Sequence, residues 1–149
     1  MINDEIKVTG KLRIKSYENG ILVDYRNVDN LVVTAGKAFL ASRALGTTQA
    51  VMSAMGLGSG TTSAVIGDTA LQAELGRVSG TNFVATVGSS SNILTYTATF
   101  LPGIATGAVT EAGIFNATSG GTMLSHTIFA VMNKSPVATF VIEWDITIS

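Results

Sequence analysis

Apolar and polar residues alternate from the sixth position onward. In "IKVTGKLRIKSY", Ile6, Val8, Leu12 and Ile14 fall on one side and Lys7, Lys11, Arg13 and Lys15 on the other. That period of two predicts a half-buried strand. Asn19-Gly20 follows, and both central positions of a type I′ turn need positive φ, so the pair predicts a two-residue hairpin. Folding about it sets Ile14 opposite Tyr25 and Lys15 opposite Asp24, apolar against apolar and cation against anion. The basic row offers either an anion-binding strip or a solvated face that discourages edge pairing, and the solvated face is the expectation.

"TAGKAFLASRALG" predicts a helix, with Thr34 as its cap, Gly46 as its end, and Phe39, Leu40 and Ala44 facing the core. "TALQAEL" predicts a second, short helix. Asp68 or Thr69 caps it, Thr69 and Gln72 stand at capping-box spacing, and Leu71 and Leu75 share one face with Glu74 exposed.

From Asn82 the pattern is strands and turns. "ILTYTATF" sets Leu94, Tyr96, Ala98 and Phe100 against Ile93 and three threonines. "FVIEWDITIS" sets Phe140, Ile142, Trp144, Ile146 and Ile148 against Val141, Glu143, Asp145 and Thr147. "AVTEAGIFN" and "GTMLSHTIFAVM" lie between them, parted by the turn signal "NATSGG". Many short β-branched strands with Gly, Ser and Asn turns predict a mainly β fold, an antiparallel β-sandwich with an N-terminal hairpin and one or two short α-helices packed against it. The length of 149 residues fits one domain, residues 1–149, with a hairpin region at 1–33 and the helix plus sandwich at 34–149.

Charge sharpens this picture. Eleven of the residues from Met1 to Lys37 are charged, whereas from Val78 to Ser149 only Glu111, Lys134, Glu143 and Asp145 are. A domain normally solvates its surface with about a quarter charged residues. The second half therefore relies on Ser, Thr, Asn and Gly, or hides surface against another chain, and the mean hydropathy of +0.42 agrees. The formal net charge of -1 gives no electrostatic case for nucleic acid or an anionic membrane. There is no cysteine. The start "MINDEIKV" lacks an apolar h-region, and no apolar run approaches the roughly 20 residues of a membrane helix, so a soluble, cytosolically made product is expected.

The candidate chemistry is thin. "GLGSGTT" (Gly56 to Thr62) invites a phosphate-loop reading, but such a loop needs Lys-Ser/Thr after its last glycine and this one has Thr61-Thr62. The dinucleotide fingerprint fails too, since position 61 is not glycine. A turn leaving the strand "VMSAMGL" is the expectation. His126 is the only histidine. A serine triad can assemble from distant residues, yet His126 lies in a predicted strand and no G-x-S-x-G elbow occurs, so an ordinary strand histidine is expected. A zinc site would have to be almost wholly carboxylate. Glu143 and Asp145 share a strand face and offer a calcium site or an acid pair, but the expectation is the wet face of the last strand, with Trp144 turned to the core. No catalytic, cofactor-binding or metal residue is assigned, and no enzyme activity is expected.

Three segments carry a resemblance: "NLVVTAGKAFLASRAL", "MGLGSGTTSAVIGDTALQAELGR" and "VTEAGIFNATSGGTMLSHTIFAVMNKSPVATFVIEWDITIS". Their motifs are G-x-G-T-T at Gly58 to Thr62, D-T-A-L-x-x-E at Asp68 to Glu74, E-A-G-I-F at Glu111 to Phe115, Asn133-Lys134 and a closing Trp144 strand. Together they resemble a module of tailed-bacteriophage virion proteins, found in tail fibres, collar fibres and head decorations, over roughly Asn30 to Ser149. The resemblance implies a non-enzymatic, multi-copy structural protein of the virion: a decoration, neck or fibre-base subunit. It also implies a homo-oligomer, most simply a homotrimer, bound to capsid, neck or tail proteins. The chain ends directly after the closing strand, which favours a compact attached subunit over a long fibre. The alternative is a short fibre module that binds host-surface carbohydrate or receptor, although no second aromatic stands near Trp144 in the closing strand.

Overall fold

The computed structural model describes residues 5–46 and 49–149. Asn19 and Gly20 both take positive φ, 51° and 76°, and turn β1 (Val8–Glu18) into β2 (Ile21–Val32) where the sequence places the hairpin. The register beyond the turn differs from expectation. Tyr17 faces Leu22 but Ser16 faces Asp24, so Val23 is an extra residue. This bulge sets Ile14 opposite Arg26 and Lys15 opposite Tyr25, one position away from the expected pairs. A one-residue slip exchanges the two faces of a strand. Val28 thereby lies opposite the fully buried Leu12 and packs against the core, while Tyr25 turns outward.

The helix α1 (Thr34–Ala44) begins one residue earlier than the cap expected, with Val33 at the N-cap and Thr34 inside the first turn. Gly46, at φ 66°, receives the chain at the far end, and its N–H bonds to the Arg43 carbonyl. Phe39 is buried and Leu40 partly so, but Ala44 is exposed. The helix buries Gly36 instead. It sits so close to the sheet that a Cβ there would lie 2.1 Å from the Leu124 carbonyl oxygen.

The remaining strands are β3 (Ala54–Gly58), β4 (Glu74–Ser79), β5 (Phe83–Val87), β6 (Ile93–Phe100), β7 (Gly107–Phe115), β8 (Met123–Lys134) and β9 (Thr139–Ile148). All pairings are antiparallel, in the order β4-β3-β7-β8-β2-β1-β9-β6-β5. Strand β2 belongs to both layers: most of it pairs with β1, and its last two residues, Leu31 and Val32, pair with β8. The hairpin is thus central to the sheet, with β1 held between β2 and β9. Among the described residues the fold is mainly β, a nearly closed antiparallel sheet of sandwich or barrel type with one α-helix.

The expected second helix over "TALQAEL" is absent. Residues 59–73 form a loop, and Glu74 and Leu75 already belong to β4. The main core lies between the layers and contains Leu12, Ile14, Tyr96, Phe100, Phe140, Ile142, Trp144 and Ile146, as the alternation in β1, β6 and β9 predicts. A smaller core, Val33, Phe115 and Met123 with Leu71 against it, lies on the other side of β7 and β8, beneath the 59–73 loop. Strands β3 and β7 are therefore covered on both faces, and β3 is buried at every position.

Candidate functional site

The site is built around one carboxylate. Glu111 stands on the face of β7 that also carries Gly113 and Phe115, and it is fully buried. Its Oε1 accepts the backbone N–H groups of Gly60 (3.0 Å) and Ala73 (2.8 Å). Its Oε2 accepts the N–H of Gln72 (3.0 Å) and lies 2.9 Å from His126 Nε2. Gly113 pairs with His126 across β7 and β8, which sets the imidazole diagonal to Glu111 on the same face. The other ring nitrogen, Nδ1, lies 2.7 Å from Asp68 Oδ2, and the same oxygen accepts the Val65 N–H at 2.9 Å.

This geometry accounts for the glycines of "GLGSG". Gly56, Gly58 and Gly60 project toward the loop, and each position is occupied by something else. A Cβ at Gly58 would lie 2.4 Å from Glu111 Oε1, and one at Gly60 2.5 Å from the Gln72 side chain. Gly56 and Gly113 face one another across β3 and β7 and together seat the Leu71 side chain. The loop is closed further by Gln72, whose side chain exchanges two hydrogen bonds with the Thr62 backbone, and by Thr110, whose hydroxyl donates to the Gly60 carbonyl at 2.6 Å. The stretch "GLGSGTT" is the end of β3 through Gly58 and the start of the 59–73 loop, so the expected turn begins only after Gly58, and it is fastened by side chains rather than by a helix. Gln72 and Ala73 give their N–H groups to Glu111, and Asp68 turns to Val65 and His126. These contacts take the place of the expected capping box.

Electrostatics matches the geometry. Burial opposes ionisation of Glu111, but the N–H groups of Gln72 and Ala73, then His126 and Gly60, outweigh it and hold the carboxyl below its ordinary range. Asp68 is likewise held low: burial works against it, and the Val65 N–H and His126 prevail. Both ring nitrogens of His126 lie within hydrogen-bond distance of a carboxylate oxygen, so the ring is held from both sides. His126 is fully buried, and neither ring nitrogen is left to take a proton from a hydroxyl. A cleft of about 320 Å³ between β2 and β8 passes this ring and is lined by Asp29, Asn30, Ser63 and Thr127, but no nucleophile bonds to it. His126 is a strand histidine, as expected. Sequence reasoning missed that it is a strut between two carboxylates.

No family model, curated protein or solved structure matches this chain. Three of the sequence motifs, at Gly58 to Thr62, Asp68 to Glu74 and Glu111 to Phe115, meet at Glu111.

Several other charged side chains are engaged elsewhere. Glu143 and Asp145 do share one face of β9, but they face β1: Arg13 bridges them at 3.0 and 3.1 Å, and Thr95 donates to Asp145 at 2.7 Å. The basic row of β1 is thus not wholly solvated, since Arg13 is spent on β9. Arg77 lies over the Phe115 ring, 3.7 Å from its centroid, pairs with Glu74 at 2.6 Å, and donates to the carbonyls of Ala117 and Gly120 in the β7–β8 turn. Glu74, exposed as expected, is therefore paired. Lys134 is buried, with Nζ donating to the carbonyls of Leu101 (3.0 Å) and Ala138 (2.7 Å). Burial pushes its ammonium below the ordinary lysine range. Among the described residues no cluster of three or more His, Asp or Glu side chains is placed to hold a metal ion, and no helix is long and apolar enough to cross a membrane.

Proposed function

We propose that this chain is a non-enzymatic structural subunit of a tailed-bacteriophage particle, present in several copies and joined to other virion proteins. The observation that carries the proposal is the convergence at Glu111. The motifs behind the resemblance are three parts of one fastening, which ties the 59–73 loop to the sheet. The chemistry with the greatest catalytic potential, an Asp-His-Glu set, is consumed there as structure. The charge pattern supports the same reading. Of the four charged residues after Val78, Glu111 and Lys134 are buried, and Glu143 and Asp145 are bound to Arg13. The strands and turns of the second half consequently show water or a neighbour an almost uncharged surface, which suits a subunit packed among others.

Mass spectrometry of purified particles tests the proposal. The chain should be found at a stoichiometry of many copies per particle, and its absence would refute the structural role. Light scattering of the purified chain tests self-association. The expected threefold state comes from the resemblance alone, and the measured mass decides it.

A further inference from the structure

The register of the first layer gathers three turns at one end of the molecule. Tyr17 pairs with Thr139, and Phe100 pairs with Phe140. The β1–β2 turn, the β8–β9 turn and the β6–β7 turn therefore emerge side by side, where β9 begins. Side chains confirm the neighbourhood: Ser135 donates to Glu18 at 2.9 Å, and Lys134 reaches both Leu101 and Ala138. No residue in 19–23, 101–106 or 135–138 is charged. Ile21 (67%), Leu22 (50%), Leu101 (46%), Ile104 (40%) and Val137 (60%) are all substantially exposed there.

This end is also built to hold its shape. The chain has two prolines, Pro102 and Pro136, and both lie here, each at the second position of a hydrogen-bonded turn. Leu101-Pro102-Gly103-Ile104 closes with Ile104 N–H to the Leu101 carbonyl at 3.0 Å, with Gly103 at φ 83°, as a type II turn requires. Ser135-Pro136-Val137-Ala138 closes the same way at 3.1 Å. Lys134 lies beneath and ties the two turns together through their carbonyls. A buried cation is costly, and this one is spent on ordering two surface loops.

We propose that this end is the contact through which copies of the chain pack against one another, a proposal that rests on the reading of the protein as a multi-copy subunit. The argument for a second copy is charge. The charges that border the patch are already engaged, Glu18 by Ser135 and Asp24 by Arg26, and a partner presenting a charge at its centre would bury it against turns that carry none, so the fitting surface is itself apolar there. The same end of a second copy is such a surface. Its size is suitable: the exposed apolar side chains present on the order of 500 Å², near the upper limit for a patch on a monomer. The outward Tyr25, 46% exposed, lies beside them, and together these side chains supply the apolar centre of an interface whose standard size is roughly 800 Å² per partner. Turns already fixed by proline lose little freedom on contact.

The test is the mass of the full chain by light scattering at micromolar concentration. It compares the unaltered protein, Ile21→Asp, Val137→Asp, and Val87→Asp at the opposite end as a control. Both Ile21→Asp and Val137→Asp should weaken association at least tenfold with unchanged circular dichroism, and Val87→Asp should leave it intact. An oligomer that survives both end variants would overturn this contact while leaving self-association standing. An unaltered chain that is already monomeric would overturn the contact and the self-association reading together, and the particle stoichiometry would then judge the structural role on its own. Loss of particle incorporation without loss of self-association would assign this end to a different virion protein and likewise overturn the proposal.

Discussion

Glu111→Gln isolates the fastening of the 59–73 loop. The substitution keeps the shape and replaces one carboxylate oxygen with an NH₂ group. Each oxygen accepts from two donors, so whichever is replaced, two donors face another donor. In either orientation the amide is neutral, so His126 loses the anionic partner at Nε2. Breaking a buried ion pair costs about 3–5 kcal/mol, and leaving a buried N–H unsatisfied costs about 1–3 kcal/mol. Glu111 and His126 are both fully buried, so solvent cannot compensate, and we expect a loss of about 3–5 kcal/mol. That is a large part of the roughly 5–15 kcal/mol by which a domain is stable. Urea unfolding measures the loss, and hydrogen exchange of the Gly60, Gln72 and Ala73 amides locates it. If the variant lies within about 0.5 kcal/mol of the unaltered protein, the range of an ordinary surface change, and those amides keep their protection, the loop is held by something else and the reasoning fails.

Four further outcomes follow from the same structure. Because Asp68 and Glu111 are held below their ordinary range, the folded state binds fewer protons than the unfolded chain; the stability they contribute is complete above the unfolded carboxylate values of about 4 and is lost as pH falls through the folded ones, so urea midpoints should drop on that limb and drop less in Glu111→Gln. Gly36→Ala should cost about 1–3 kcal/mol in thermal or urea unfolding, since the added methyl meets the Leu124 backbone rather than a side chain that can move. Lys134→Met should cost about 1–3 kcal/mol by leaving the Leu101 and Ala138 carbonyls without their donor, and should raise amide exchange in the 101–106 turn. Gly20→Val should cost about 1–2 kcal/mol although nothing lies near its would-be Cβ, because the strain comes from φ 76° alone; an unchanged melting temperature would count against that turn.

Strands with one wet face were legible in the sequence. Leu12 and Ile14 in β1, Tyr96, Ala98 and Phe100 in β6, and Phe140 through Ile146 in β9 lie in the core as their alternation predicts. Where both faces are covered, period two disappears, and β3 and β7 read only as apolar runs rich in glycine. The hairpin turn was readable because φ at Asn19-Gly20 is a local property, whereas the bulge at Val23 answers to burial across the sheet and has no local signature. "TALQAEL" misled for a related reason. Its helical propensity and capping spacing are real, but the buried acceptor of Glu111, more than thirty residues away in sequence, draws off two of its N–H groups. One signal did point to Glu111: a lone carboxylate in "AVTEAGIF", a strand with no neighbouring cation, needs a partner from elsewhere. Removing His126 would leave the buried Glu111 and the half-buried Asp68 each short of one hydrogen-bond partner, which rules out His126→Ala as a harmless change.

The internal use of every charged side chain after Val78 has a consequence for how the protein responds to salt. Ionic screening weakens attractions between exposed charges, and at 0.15 M it acts over about 8 Å. Contacts made by the turns at the start of β9 offer no such charges to screen. Sodium chloride should therefore leave them nearly unchanged, while sulfate, which is excluded from apolar surface, should tighten them. Any attachment made through Lys7, Lys11, Lys15 or Lys37, which lie in the charged first quarter of the chain, would loosen in the same salt. A simple salt titration of intact particles would thus separate the two kinds of contact, releasing what these lysines hold before what the turns at the start of β9 hold.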